Sequence, residues 1–123
     1  MKLGELEKLL LNYLWTVEVA NAKQVYFHFE KTRGGTLNTI QSTLDRLFKK
    51  GLLSRKKCSH AFAYSPAVER KDLLGSLITD ITQELAQNDS EAILEAFVDI
   101  SSQMDPLSLE RLESLIANRK NES

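Results

Sequence analysis

Asn38, Thr39, Gln41 and Ser42 gather short amide and hydroxyl side chains within five positions, and Arg46 and Lys49 follow in the same stretch, "TLNTIQSTLDRLFKKG". Without an activating base such side chains do no covalent chemistry. They exchange hydrogen bonds, and the cations attract anions. Asn and Gln can pair bidentately with the edge of adenine, the methyl of Thr can meet that of thymine, and Arg and Lys suit guanine or phosphate. A second basic group, Arg55, Lys56, Lys57 and His60, follows within a few residues. It fits phosphate contacts, which fix register and add salt-dependent affinity without reading sequence.

Other chemistries find little support. The chain has no nucleophile–base pair, no Gly-rich phosphate loop and no spaced carboxylate or histidine cluster, and His28 and His60 stand isolated. An enzyme, a metal site and a cofactor are therefore not expected. The single cysteine, Cys58, cannot close an internal disulfide, which fits a reducing, cytoplasmic setting. No 18-residue apolar run is present, so no membrane span is expected. The opening "MKLGELEKLL" carries two acids and no small-residue cleavage site, unlike a secretory signal.

At 123 residues and 42% hydrophobic content the chain can bury a core as one domain or as a small domain with an appended element. Its net charge of −1 hides an asymmetry: residues 1–71 hold 13 Lys/Arg against 6 Asp/Glu, and residues 72–123 hold 3 against 11. Between 31 and 57 there are eight basic residues and one acid, Asp45. An anionic partner for the first half alone would suit this split.

The elements that must hold these groups follow from hydrophobic period. Leu6, Leu9, Leu10, Tyr13, Leu14 and Val17 recur at helical spacing and predict a helix over about 4–17, with Trp15 beside the stripe as a core residue. Asn21 caps a short second helix that buries Ala22, Val25, Tyr26 and Phe29, and Arg33-Gly34-Gly35 makes a turn. Thr36 caps a third helix, which turns Leu37, Ile40, Leu44, Leu47 and Phe48 inward and ends at Gly51. Its other face carries Asn38, Thr39, Gln41, Ser42, Asp45, Arg46 and Lys49. Alternation through Leu53, Arg55 and Lys57, a turn near Cys58–His60, and alternation again through Phe62 and Tyr64 predict a hairpin with a basic tip, closed by Pro66.

From Ala67 the pattern is helical to the end. The stripes are Leu73, Leu74, Leu77, Ile78, Ile81 and Leu85; then Ile93, Leu94, Phe97, Val98 and Ile100; then Leu107, Leu109, Leu112, Leu115 and Ile116, with Asp105 as N-cap, Pro106 at N1 and a frayed "RKNES" end. Three such helices are too few to bury their stripes in one small bundle. Pairing with an identical copy through Leu73, Leu74, Leu77, Ile81, Leu85, Phe97, Leu112, Leu115 and Ile116 would bury them; the alternative is that these helices extend one monomeric core.

Three helices followed by a hairpin is the order of a winged helix-turn-helix. The expectation is a mainly α protein with a small β-hairpin wing: a winged-helix DNA-binding domain over 1–67 and a helical dimerisation domain over 68–123. The recognition helix, 37–50, would enter the major groove of double-stranded DNA and the wing, 54–64, would lie on the backbone. The alternative is a winged-helix module used for protein contacts without specific DNA binding.

"NTIQSTLDRLFKKGLLSRKK" followed by "FAYSPAVER" resembles the penicillinase-repressor family of the BlaI/MecI type. The shared features are a Thr near the start of the third helix, Leu-x-Arg-Leu, Lys-Lys-Gly-x-Leu at its end, and a wing returning through Tyr-x-Pro. "ELEKLLLNYLW" resembles that family's first helix. The resemblance implies a small cytoplasmic repressor that binds a dyad operator as a homodimer. Asn38, Thr39, Gln41 and Ser42 would read bases, and Arg46 would be a further contact. Gln41 stands where relatives often carry Arg, and Ser59-His60 where the wing often has Gly-Arg. The resemblance also implies a sensor protease as partner, cutting in the C-terminal domain. The position corresponding to its usual Asn-Phe bond is Ala96-Phe97, and Phe97 equally suits a core position. The cysteine-rich tail of copper-responsive relatives is missing, which argues against soft-metal sensing.

Overall fold

The first three helices begin where the sequence supplies a cap. The computed structural model describes residues 1–87 and 89–122. Over these the order is α1 (Glu5–Val17), β1 (Ala20–Asn21), α2 (Ala22–Phe29), α3 (Leu37–Lys49), β2 (Leu53–Cys58), β3 (Ala61–Pro66), α4 (Arg70–Ala86), α5 (Ser90–Gln103) and α6 (Ser108–Asn121). Ahead of α1 the Glu7 side chain reaches back to accept from the Gly4 N–H at 2.9 Å. Asn21 and Gln24 form a reciprocal capping box at the start of α2, each bond 2.8 Å. At α3 the Thr36 hydroxyl accepts from the Thr39 N–H.

The end of α3 is a Schellman motif. Gly51, at φ 81, lets the chain turn back. The Leu52 N–H then bonds to Leu47 O at 3.0 Å and the Gly51 N–H to Phe48 O at 2.9 Å. This turn sends the chain from the helix straight into the wing and buries Leu52 against the core.

Two compact units divide the chain, Met1–Leu77 and Ile78–Ser123, with the division inside α4. In the first unit α1, α2 and α3 precede the β2–β3 hairpin, the winged-helix order. β1 adds a third strand, pairing Ala20 with Tyr64 and Asn21 with Ala63, so the antiparallel sheet runs β1-β3-β2. Two residues are too few to show a period, so the sequence gives no hint of β1. The hairpin register sets Leu53 against Pro66, Arg55 against Tyr64 and Lys57 against Phe62, with Ser59 and His60 as its two-residue tip.

The core is built around Leu10, Leu14, Val25, Leu44 and Leu47, all fully buried, with Ile40, Leu53 and Tyr64 around them. Each such leucine contributes about 2 kcal/mol on removal from water. In α1 the buried stripe includes Leu11, while Leu9 and Val17 are exposed. Leu9-Leu10-Leu11 offers three adjacent choices of face, and packing selects the one centred on Leu10. Thr43 is also fully buried, where the pattern left it unassigned. Its hydroxyl donates to Thr39 O at 2.7 Å and so carries no unmet polar cost. Trp15 is partly buried and donates to Val68 O at 3.0 Å.

The second unit comprises the rest of α4 with α5 and α6. None of its described residues is buried. Three expectations change here. Asp105 does not cap α6; it accepts from the Leu107 N–H at 2.9 Å in a short turn, and the helix starts at Ser108. The helix runs on to Asn121 through residues expected to fray, with Ser123 outside the described residues. Phe97 is 40% exposed and is not a core residue of this unit. No described helix is long and apolar enough to cross a membrane.

Candidate nucleic-acid interface

One face of α3 is spent on the core, and the side chains on the other are held out by the helix itself. Asn38, Thr39, Gln41, Ser42, Arg46 and Lys49 are all exposed. The hydroxyls near the N-terminus are tied down locally. Thr39 and Thr36 hydroxyls lie 3.0 Å apart, and Ser42 Oγ donates to Asn38 O at 2.7 Å. Such bonds fix the rotamer and leave the oxygen free to accept. Neither amide, Asn38 nor Gln41, makes a side-chain hydrogen bond among the described residues, so each keeps donor and acceptor together for a bidentate contact.

The two long cations differ in company. Arg46 donates from Nη2 to Thr43 Oγ1 at 3.2 Å and lies near enough to Glu7 to help hold that carboxylate in its charged form. Lys49 pairs with Asp45 at 2.9 Å while most of its side chain stays exposed. Asp45 is held below the ordinary carboxylate value, first by the hydrogen bond from Lys49, against some desolvation, and then by Arg55.

In the wing, Lys56, Lys57 and His60 are exposed as expected. Arg55 is not a free cation. Its Nη1 meets Asp45 Oδ1 at 3.1 Å, and its guanidinium carbon lies 3.9 Å from the centre of the Phe48 ring and 4.2 Å from that of Phe62. The pleat explains this: Arg55 shares the face of β2 with the buried Leu53 and points toward α3, whereas Lys56 points the other way.

The start of α2, the middle of α3 and the wing tip enclose a hollow of about 440 Å³. It brings Gln41 together with His60 and Cys58, and adds Asn21 and Lys23, which sequence reasoning had not placed at the site. The signal was available: Asn21 was recognisable as a cap, and the residues after a cap lie at the exposed start of a helix. Cys58 is free and exposed. Among the described residues no group of three or more His, Cys, Asp or Glu could hold a metal ion.

Of the residues expected to pair two copies, Leu73 is buried in the core of the first unit and Leu77 packs partly buried against it. Leu74, Ile81, Leu85, Phe97, Leu115 and Ile116 are exposed and Leu112 is intermediate. Ala96 and Phe97 lie in the middle of α5, in regular helix.

Known proteins resemble this chain along most of its length. The transcriptional regulator BlaI of Mycobacterium tuberculosis (strain ATCC 25618 / H37Rv) is 29% identical over 100 residues, covering 80% of this chain and 72% of that protein. The methicillin resistance regulatory protein MecI of Staphylococcus aureus (strain N315) is 25% identical over 113 residues, covering 90% and 89%. Among solved structures, the DNA binding domain of the repressor BlaI aligns with a TM-score of 0.53 at 30% identity, over 58% of this chain and 87% of that one. Bacillus licheniformis BlaI, in its monomeric form in complex with the blaP half-operator, aligns with a TM-score of 0.50 at 29% identity, over 58% and 88%. The pattern of one family, described as penicillinase repressor, matches residues 3–118. With that match spanning nearly the whole sequence, the chain belongs to the penicillinase repressor family, whose members are transcriptional repressors and not enzymes.

Proposed function

We propose that the protein is a sequence-specific DNA-binding transcriptional repressor that acts as a homodimer on a dyad operator. The carrying observation is the division of α3 into two faces. Ile40, Leu44 and Leu47 are buried, while Asn38, Thr39, Gln41, Ser42 and Arg46 stand exposed beside a wing bearing Lys56, Lys57 and His60. In this reading α3 lies in the major groove with its N-terminal half toward the base edges. The wing and Lys49 meet phosphates. The half-operator complex formed by Bacillus licheniformis BlaI supports the assignment.

The dimer rests on a second feature. Leu74, Ile81, Leu85, Leu94, Phe97, Val98, Leu115 and Ile116 are large apolar side chains left exposed on helices α4 to α6, and such surface favours a partner that covers it. A second copy would cover them and set two α3 helices about one helical turn of DNA apart, roughly 34 Å. The acidic second half would stay clear of phosphate. Relief of repression would come from proteolysis at Ala96-Phe97 by a sensor protease. It requires α5 to open locally, because a protease binds its substrate extended.

Selection of bound fragments from genomic DNA, with binding repeated over a salt series, tests this reading. The expected result is a recovered dyad sequence whose affinity falls steeply with salt. Failure to bind duplex DNA at low salt would sink it.

A further inference from the structure

The Arg55 side chain is built in from three elements at once. Phe48 and Asp45 come from α3, Phe62 from β3, and Arg55 itself from β2. The guanidinium is held between the two rings, and its N–H edge is on the carboxylate, with the side chain only 25% exposed. Cation–π stacking and a charge-assisted hydrogen bond act here together, and a planar guanidinium can lie flat against a ring while one of its edge N–H groups reaches the carboxylate. A lysine would bring the charge but neither the stacking plane nor the fork. The second oxygen of Asp45 takes Lys49, so the carboxylate is shared between the reading helix and the wing.

We propose that Arg55 is a positioning residue, clasped by Asp45, Phe48 and Phe62, that fixes the wing relative to α3 and does not itself meet DNA. This rests on the reading of α3 and the wing as a DNA-binding surface. Reaching a phosphate would cost Arg55 both rings and its carboxylate. Phosphate contact in the wing therefore falls to Lys56, Lys57 and His60, whose side chains are exposed. β1 supports β3 only at Tyr64 and Ala63, so toward the tip the wing is a two-stranded hairpin with little stiffness of its own. Without the clasp the wing cations and the reading face would seldom be in register together, so affinity would fall although no contact had been removed.

The test uses the full chain as wild type, R55A, R55K, D45N and K57A, each checked for folding by thermal melting. The DNA probe is the genomic fragment that the wild type binds most tightly. R55A and R55K should each bind about tenfold more weakly with the slope of log affinity against log salt unchanged, while K57A should lower that slope by about one. D45N should also weaken binding, although it removes a negative charge from the DNA-facing side. A slope lowered by R55A, unchanged affinity in R55A, or tighter binding by D45N would each overturn the proposal. A measurement on the free protein separates this from the DNA reading. Heteronuclear NOE values of backbone amides 56–61 should drop in R55A and R55K and hold in K57A. A wing equally ordered in all of them would refute the clasp, and a wild type that binds no duplex would refute the DNA reading while the wing measurement still decides the clasp.

Discussion

Lys50 Nζ lies 2.7 Å from Glu7 Oε2, joining the end of α3 to the start of α1. The same ammonium donates to Lys2 O at 3.0 Å. Glu7 is a buried acid, and burial by itself would raise its pKa. Hydrogen bonds from Lys50 and from the Gly4 N–H, with the charges of Lys50 and Arg46, outweigh this and lower it from the ordinary 4.5. Because the folded value is the lower one, the pair's contribution is complete above the ordinary value and is lost as pH falls through the folded value. Urea melts of wild type between neutral pH and pH 3 should show stability falling below about pH 4.5, and Glu7→Gln should flatten that dependence. At neutral pH the same variant should cost roughly 2 kcal/mol. An unchanged pH profile would remove the pair from the stability of the fold.

Arg46→Ala should bind the operator at least about tenfold more weakly, through loss of a base or phosphate contact. The melting temperature should change little, because the buried Thr43 hydroxyl loses only the bond it accepts from Arg46 and keeps the one it donates to Thr39 O. Fluorescence anisotropy beside a thermal melt checks both halves. Undiminished affinity would take Arg46 out of the interface.

Gln41 should decide which base is preferred more than how tightly DNA in general is held. Gln41→Arg should move the preference at one position of each half-site from adenine toward guanine, by about 1–3 kcal/mol of discrimination. Repeating fragment selection with the variant gives the readout. An identical recovered motif would show that Gln41 reads nothing.

A paired substitution on the exposed stripe, Leu85→Asp with Phe97→Asp, should yield a monomer by sedimentation at micromolar concentration where the wild type is a dimer. Operator affinity should then fall toward that of a single half-site. A wild type that is monomeric at that concentration would end the two-half-site reading.

Leu10→Ala removes a fully buried side chain from the centre of the first unit. The expected loss is about 2–5 kcal/mol, measured by chemical denaturation.

Much of the first unit was legible because strong local signals agree with one another. Asn21, Thr36 and Gly51 end or begin helices as their chemistry predicts, and the α3 stripe and hairpin alternation leave little choice of face. What escaped had no local signal. β1 is two residues long and exists only because β3 offers it an edge. Leu11 displaced Leu9 through packing among three adjacent leucines. Leu73 was assigned to a pairing face because helical period cannot distinguish a residue covered by its own unit from one awaiting a partner. The surroundings of Arg55 escaped as well, because charge is visible in a sequence while two rings and a carboxylate brought together from other elements are not.

The strand order β1-β3-β2 leaves β2 on an open edge of the sheet. An unpaired edge invites another chain to add to it, and lysines are a common deterrent, since a second copy would bring like charges alongside. Exposed on that strand, Lys56 and Lys57 disfavour edge-to-edge pairing of sheets, whatever else they contact. Neutralising both would expose the fold to edge-to-edge aggregation, and in a binding assay the loss of active protein would pass for weakened affinity unless the soluble concentration were measured alongside.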